Sequence, residues 1–113
     1  MSRRVVAIEG EPTTDGRLIE HGALRWKGDP VPIYASATGA EFPVLLGKAM
    51  YFQREDDGKI TAEVELARAM GEDERLAVSL MDMDTVNEGD LLRIRRGRIY
   101  DLMLTTGWAW PDA

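Results

Sequence analysis

Apolar and polar residues alternate along the second half of the chain, which is the pattern of half-buried β-strands. The apolar positions of residues 59–66 are Ile60, Ala62, Val64 and Leu66. These side chains are expected to face the core, with Lys59, Thr61, Glu63 and Glu65 in water. Residues 44–54 form a second apolar stretch, and Asp57-Gly58 supplies the positive backbone angle of a tight turn. A β-hairpin is therefore predicted over residues 44–66.

Further strands are predicted on both sides of this hairpin. Residues 4–9 are a β-branched run that Gly10 and Pro12 end. Residues 76–83 favour another strand, and residues 91–104 favour a second hairpin with Arg96-Gly97 as its turn. Residues 10–43 hold four of the five prolines, which predicts loops and short strands.

Two stretches favour short helical turns. Apolar residues between Leu18 and Trp26 allow one or two turns, and the helix-forming composition of residues 62–83 allows another at 67–70. The alternation in 59–66 and the break at residues 71–74 nevertheless favour strands there. The predicted fold is all-β, or mainly β with one or two helical turns: a small barrel of six to seven antiparallel strands.

The length of 113 residues fits a single domain, 1–113, in which residues 105–113 are expected to form an extended C-terminal contact tail. The absence of cysteine removes disulfides, thiolate nucleophiles and cysteine metal sites. No apolar run approaches the length of a membrane span, and the first residues turn acidic before any secretory apolar stretch develops. Neither membrane insertion nor export is expected.

Charge and motif spacing narrow the function classes. The net charge of -6 opposes binding to a phosphate backbone, so nucleic acid is not an expected partner. The acids of residues 82–90 do not follow the spacing of a calcium loop, and the glycines match no phosphate-binding loop. No metal and no cofactor are predicted. The single histidine, His21, is the only imidazole base available to any catalytic scheme.

The end of the chain carries two tryptophans, Trp108 and Trp110. Indoles are frequent interface anchors, and an extended segment with two of them fits a groove on a partner. Large aromatics also complete small cores, so the two side chains are equally interpretable as part of this domain's own interior. Both interpretations stay open at this point.

Four arginines lie in six positions of the predicted second hairpin: Arg93, Arg95, Arg96 and Arg98. Arg93 and Arg95 are expected on the face opposite Leu92 and Ile94, where they form a basic patch that suits an acidic protein surface. The alternative is a solvated face whose arginines pair with nearby acids, namely Glu88, Asp90 or Asp101.

Four segments in a fixed order suggest a family: DGRLIEHGALRWKGDPVPI at 15–33, VLLGKAMYFQREDDGKITAEVEL at 44–66, LAVSLMDMDTV at 76–86 and RRGRIYDLML at 95–104. The series resembles the head-maturation (prohead) proteases of tailed bacteriophages, particularly those of phages that infect actinobacteria. The resemblance covers most of residues 5–105. It implies the barrel of these proteases, with a serine nucleophile and a histidine base.

The resemblance assigns the serine position to Ser79 and places the histidine just after the Pro-x-Pro strand. Residues 33–42 occupy that place and contain no histidine. A serine hydroxyl without a positioned base is a weak nucleophile, so catalysis is expected to be lost. His21, oriented by Glu20 or Asp15, is the one base that a different folding of the chain brings to Ser79.

A protease scaffold without its base implies a structural role. The predicted function is a non-catalytic, capsid-associated protein, a decoration or minor capsid protein. Its predicted partners are the shell of the major capsid protein and, as an alternative left open, a second copy of itself. Its predicted location is the virion, after assembly in the host cytoplasm. The alternatives are an active serine peptidase that uses Ser79, and an assembly chaperone that leaves before maturation.

Overall fold

The computed structural model describes residues 2–35, 43–106 and 110, and these ranges contain strands and no helix. The eight strands are β1 (Ser2–Ile8), β2 (Arg17–Ile19), β3 (Leu24–Arg25), β4 (Val31–Ala35), β5 (Val44–Arg54), β6 (Lys59–Leu66), β7 (Arg75–Glu88) and β8 (Leu91–Thr105). The all-β prediction is confirmed. The helical turns expected within 18–26 and at 67–70 are wrong. In the first segment, β2 and β3 pair with β8, and residues 67–70 are irregular backbone between β6 and β7.

All eight strands form one curled sheet, a half-barrel. Its main path runs β1-β6-β5-β4-β8, with antiparallel pairing as far as β4. The long strand β8 is the centre of the other half: β2, β3 and β4 pair in turn along one edge, and β7 along the opposite edge. The expectation of antiparallel strands alone is wrong, since β2, β3 and β4 run parallel to β8.

The hairpin predicted over residues 44–66 is confirmed as β5 and β6, and Gly58 has the positive φ of +89°. Ile60, Ala62 and Val64 are buried as expected. Thr61 was expected to face water and is also buried. Its hydroxyl accepts a hydrogen bond from Arg3 Nη1 at 2.9 Å and donates one to Glu55 at 3.0 Å, so β1 covers this position.

The second hairpin differs from the prediction, because Arg96-Gly97 is not a turn. Strand β8 runs without interruption from Leu91 to Thr105, and the hairpin partner is β7. Gly97 occupies an inward position, where a Cβ would lie 3.1 Å from Leu80 Cδ1. Glycine therefore serves close packing between two strands here, not a change of chain direction.

The core fills the concave side of the curled sheet. Its largest fully buried apolar side chains come from six different strands and are Val6, Ile8, Leu24, Ile33, Ile60, Leu76 and Leu102. Since these positions are contributed by strands far apart in the sequence, the curl of the sheet is what brings them together. The sheet ends β1 and β7 also come into contact, which brings the half-barrel toward closure.

One charged residue is buried within this core. The carboxylate of Glu9 accepts hydrogen bonds from the backbone N–H groups of Gly22 and Leu24, both at 3.0 Å, and from Arg54 at 2.6 and 3.1 Å. Burial opposes ionisation, but the hydrogen bonds from Arg54 and the two amides outweigh it and hold the pKa of Glu9 below its usual value. The Arg54 guanidinium lies 5.2 Å from the Trp26 ring. This network ties β1, β3 and β5 together.

Candidate functional site

Ser79 is one of the residues that line an apolar cavity of about 380 Å³ beside β7. Its apolar lining includes Ile19 of β2, Leu80 of β7, Ile94 of β8 and Trp110. The volume lies within the range of small-ligand sites. The cavity is the only concave feature of the described residues to which the sequence assigns a nucleophile.

The polar residues at the edge of this cavity bind one another. The Thr13 hydroxyl donates to Asp15 Oδ1 and accepts a hydrogen bond from the backbone N–H of Arg17 at 2.9 Å. Arg17 Nη2 lies 3.1 Å from Asp15 Oδ2. Thr13 and then Arg17 hold the pKa of Asp15 below its usual value. These groups are therefore already satisfied, and the cavity offers apolar volume with the Ser79 hydroxyl as its remaining polar group.

The structure does not bring His21 to Ser79. The His21 ring lies against Gly10 and Gly58, so closely that a Cβ at Gly10 would overlap it. The residues lining the Ser79 cavity do not include His21. Among the described residues, the acids proposed to orient this imidazole are engaged elsewhere: Glu20 faces Arg93 at 3.7 Å, and Asp15 pairs with Arg17. The arrangement lacks the serine–base contact of a nucleophilic hydroxyl.

Asp101 is the residue directly opposite Ser79 in the β7–β8 pairing. Its Oδ1 atom is buried and accepts no hydrogen bond within the part of the chain that the structure describes. From its place in the sequence, Asp101 was expected only as a surface partner for arginines, because alternation of residue types does not show which carboxylates become buried. No hydrogen bond joins Asp101 to the Ser79 hydroxyl among the described residues.

The four arginines of the predicted basic patch fall into two pairs. Arg93 forms two hydrogen bonds to Glu88, at 3.1 and 3.0 Å, and Arg98 Nη2 lies 3.0 Å from Asp82 Oδ2. The Arg93 guanidinium holds the pKa of Glu88 below its usual value. Arg95 and Arg96 are exposed, and neither forms an ion pair or side-chain hydrogen bond with any described residue.

A β-bulge explains why two consecutive arginines both face solvent. Thr85 pairs with Ile94 and Asp84 pairs with Arg96, which leaves Arg95 as an extra residue in β8. Ile94 and Gly97 on either side are buried, so the bulge turns Arg95 and Arg96 outward together. Alternation alone would have directed only one of them to solvent.

A second bulge in β8 has the same effect at Tyr100. Ser79 pairs with Asp101 and Leu80 with Ile99, which leaves Tyr100 unpaired. Ile99 and Leu102 are buried on either side, and 45% of the Tyr100 surface is exposed. This bulge therefore presents an aromatic ring on the outer face of β8, on the same strand as Arg95 and Arg96.

The acids of residues 82–90 do not form a metal site in the structure. Asp82 and Glu88 are engaged by Arg98 and Arg93. Across the described ranges, no three carboxylate or histidine groups converge as metal ligands. Within the same ranges there is also no helix with the length and apolar character needed to cross a membrane.

Of the two tryptophans in the C-terminal segment, the structure describes Trp110 only. Trp110 is 4% exposed and belongs to the core, and its Nε1 donates a hydrogen bond to the Glu11 carbonyl at 3.0 Å. Of the two alternatives, the structure supports the interior position for this side chain, where it is not available to a partner. Trp108 lies outside the described residues, as does most of the predicted contact tail.

No protein-family model, no curated protein and no solved structure matches the chain. The resemblance to the head-maturation proteases therefore stays a prediction from the sequence segments. Two features of the structure can be set beside this resemblance: the half-barrel, and the positions of Ser79 and His21.

Proposed function

We propose that the chain is a non-catalytic structural protein of a tailed-phage capsid that binds the shell of the major capsid protein. The proposal starts from the four ordered segments that resemble head-maturation proteases. The observation that carries it further is the separation of Ser79 from His21, whose ring lies against Gly10 and Gly58. A barrel of this kind whose serine lacks a positioned base would bind a partner without cleaving it.

Binding to a repetitive shell suits a small domain of this kind. A stable contact requires on the order of 800 Å² from each partner, and repeated copies strengthen attachment through avidity. The net charge of -6 favours the outer capsid surface over a lumen filled with DNA, where like charges repel at short range. The protein would be assembled into the virion in the host cytoplasm, either alone or as a homo-oligomer.

A mass-spectrometric inventory of particles from the phage that encodes the chain tests this proposal. The chain is expected in mature particles in many copies. Its absence from mature particles together with its presence in immature ones would instead indicate an assembly chaperone.

The variants Ser79→Ala and His21→Ala separate the structural role from a peptidase. Neither is expected to change particle yield or the cleavage pattern of the shell protein. If either variant abolishes a cleavage that the unmodified protein supports, the chain is a serine peptidase and the structural proposal is wrong.

A further inference from the structure

The outer face of the β7–β8 hairpin carries four exposed side chains of the types that dominate protein interfaces. They are Met81, Arg95, Arg96 and Tyr100, hereafter the hairpin surface. Arginine, tyrosine and methionine are enriched in interface centres, whereas the remaining exposed surface of this chain is rich in Glu and Asp. We propose that the hairpin surface binds a carboxylate-bearing patch of the shell protein; the identity of this partner rests on the function proposed above.

The geometry of the hairpin places these side chains on one face. Met81 lies directly opposite Arg98, and the alternation of β8 puts Arg96 on the same side as Arg98. The bulges at Arg95 and Tyr100 turn two further side chains outward on either side of them. The Arg98–Asp82 ion pair, with a nitrogen–oxygen distance of 3.0 Å, lies among these side chains.

The backbone of the opposite strand is strained at the same place. Asp82 has a φ of +53°, a conformation that residues with side chains rarely adopt. Asp82 and Met83 together oppose Gly97, so β7 is bulged beside the bulge of β8. The Asp82 carboxylate is held by Arg98 Nη2 at 3.0 Å in this conformation. Strain of this kind is retained where the surrounding structure fixes a side-chain arrangement.

The charges of the hairpin select the chemistry of the partner. Glu88 neutralises Arg93 and Asp82 neutralises Arg98, while Arg95 and Arg96 have no ion-pair partner in the part of the chain that the structure describes. Asp84 lies opposite Arg96 without forming an ion pair, so one acid remains near the two arginines. At physiological salt, charges act over about 8 Å, and the adjacent guanidinium groups therefore outweigh the distant acids at a contact. Two forked guanidinium groups fit carboxylates, each through two hydrogen bonds.

Duplex DNA fits this surface less well than an acidic protein patch. Two unpaired arginines supply few phosphate contacts, and the overall charge of -6 repels an extended polyanion. The exposed Met81 and Tyr100 side chains also require apolar surface on the partner, which a protein supplies and a phosphate backbone does not.

The test compares the double charge reversal Arg95→Glu/Arg96→Glu with Arg25→Glu/Lys27→Glu. The control changes the net charge equally at two exposed cations of the β3 region that form no ion pair in the described ranges. Binding to particles assembled without the chain is measured by co-sedimentation. The reversal at 95 and 96 is expected to weaken binding at least about 30-fold, and the control less than about 3-fold. Tyr100→Ala is expected to weaken it about 10-fold.

Thermal unfolding of each variant checks that folding is intact, since all the substituted side chains are exposed. Equal binding by the 95/96 reversal and the control would overturn the inference while leaving the proposed function standing. Absence of the unmodified protein from particles would instead remove the proposed function.

A second measurement tests whether the hairpin surface binds carboxylates, and it does not require the chain to bind particles. Retention of the unmodified protein is measured on immobilised poly-glutamate and on immobilised duplex DNA at low salt. Retention on poly-glutamate that the 95/96 reversal abolishes supports a carboxylate-binding surface. No retention there, or stronger retention on DNA, overturns it. Self-association in sedimentation equilibrium that the reversal abolishes would overturn the choice of the shell protein as partner.

Discussion

Removal of the Arg54 side chain tests how the buried carboxylate of Glu9 is held. Among the described residues, Arg54 supplies two of the four hydrogen bonds to that carboxylate and the only countercharge that contacts it. In the variant Arg54→Ala, a fully buried charge keeps only the amides of Gly22 and Leu24. Breaking a buried ion pair costs about 3–5 kcal/mol, and Arg54 is itself 36% exposed, so the lower end, about 3 kcal/mol, is expected.

Urea unfolding measures this loss. With an m value of about 1.5 kcal/mol/M for a domain of this size, the midpoint should fall by about 2 M. Arg68→Ala is the matched control, because Arg68 also forms a two-point contact with a carboxylate, that of Glu74, but in solvent. Its midpoint should fall far less. Equal shifts for the two variants would show that the buried carboxylate does not depend on Arg54.

The pH dependence of the unfolding free energy tests whether Glu9 is ionised in the folded protein. The folded pKa of Glu9 lies below its ordinary value of 4.5, so its stabilising contribution is complete above that pH and is lost as the pH falls through the folded pKa. In Arg54→Ala, burial acts without the countercharge and raises the pKa of this carboxyl. The stability difference between the two proteins should therefore narrow as the pH falls, first through the raised pKa of the variant's carboxyl and then through the lowered pKa of Glu9 in the unmodified protein. A difference that widens in acid would contradict the assignment of Glu9 as the ionised partner.

Two further substitutions address the core and the sheet. Trp110→Ala should lower the free energy of unfolding by about 3 kcal/mol in urea titrations, because it empties a buried indole site; an unchanged midpoint would mean that the indole does not occupy the core. Gly47→Ala should cost about 2 kcal/mol, since a Cβ there overlaps the backbone carbonyl of Glu65. Gly28→Ala, which projects into open space, should shift the midpoint by less than about 0.5 kcal/mol; similar losses at both glycines would refute the steric explanation.

The arginines and the serine of the candidate sites show which properties of a site residue can be predicted from the sequence. The strand position of Ser79 was predictable, because the predicted strand 76–83 lies within β7. The position of Arg96 was not, since it was expected in a turn and lies within β8. The partners of these side chains were not predictable either. Arg93 and Arg98 are neutralised by Glu88 and Asp82, and the separation of Ser79 from His21 depends on where two turns meet. Cross-strand register fixes such contacts, and a register shift of one residue at a bulge leaves no signal in composition.

The sequence by itself determined the all-β class and the hairpin of β5 and β6, because alternation with period two and an Asp-Gly turn act between neighbouring residues. It also determined which side chains are apolar enough to form the core. Only the tertiary structure decided that residues 17–25 form strands parallel to β8, that Gly97 packs within a strand, and that Glu9 is buried against Arg54. Each of these depends on backbone and side-chain partners far away in the chain, and local propensity carries no information about them.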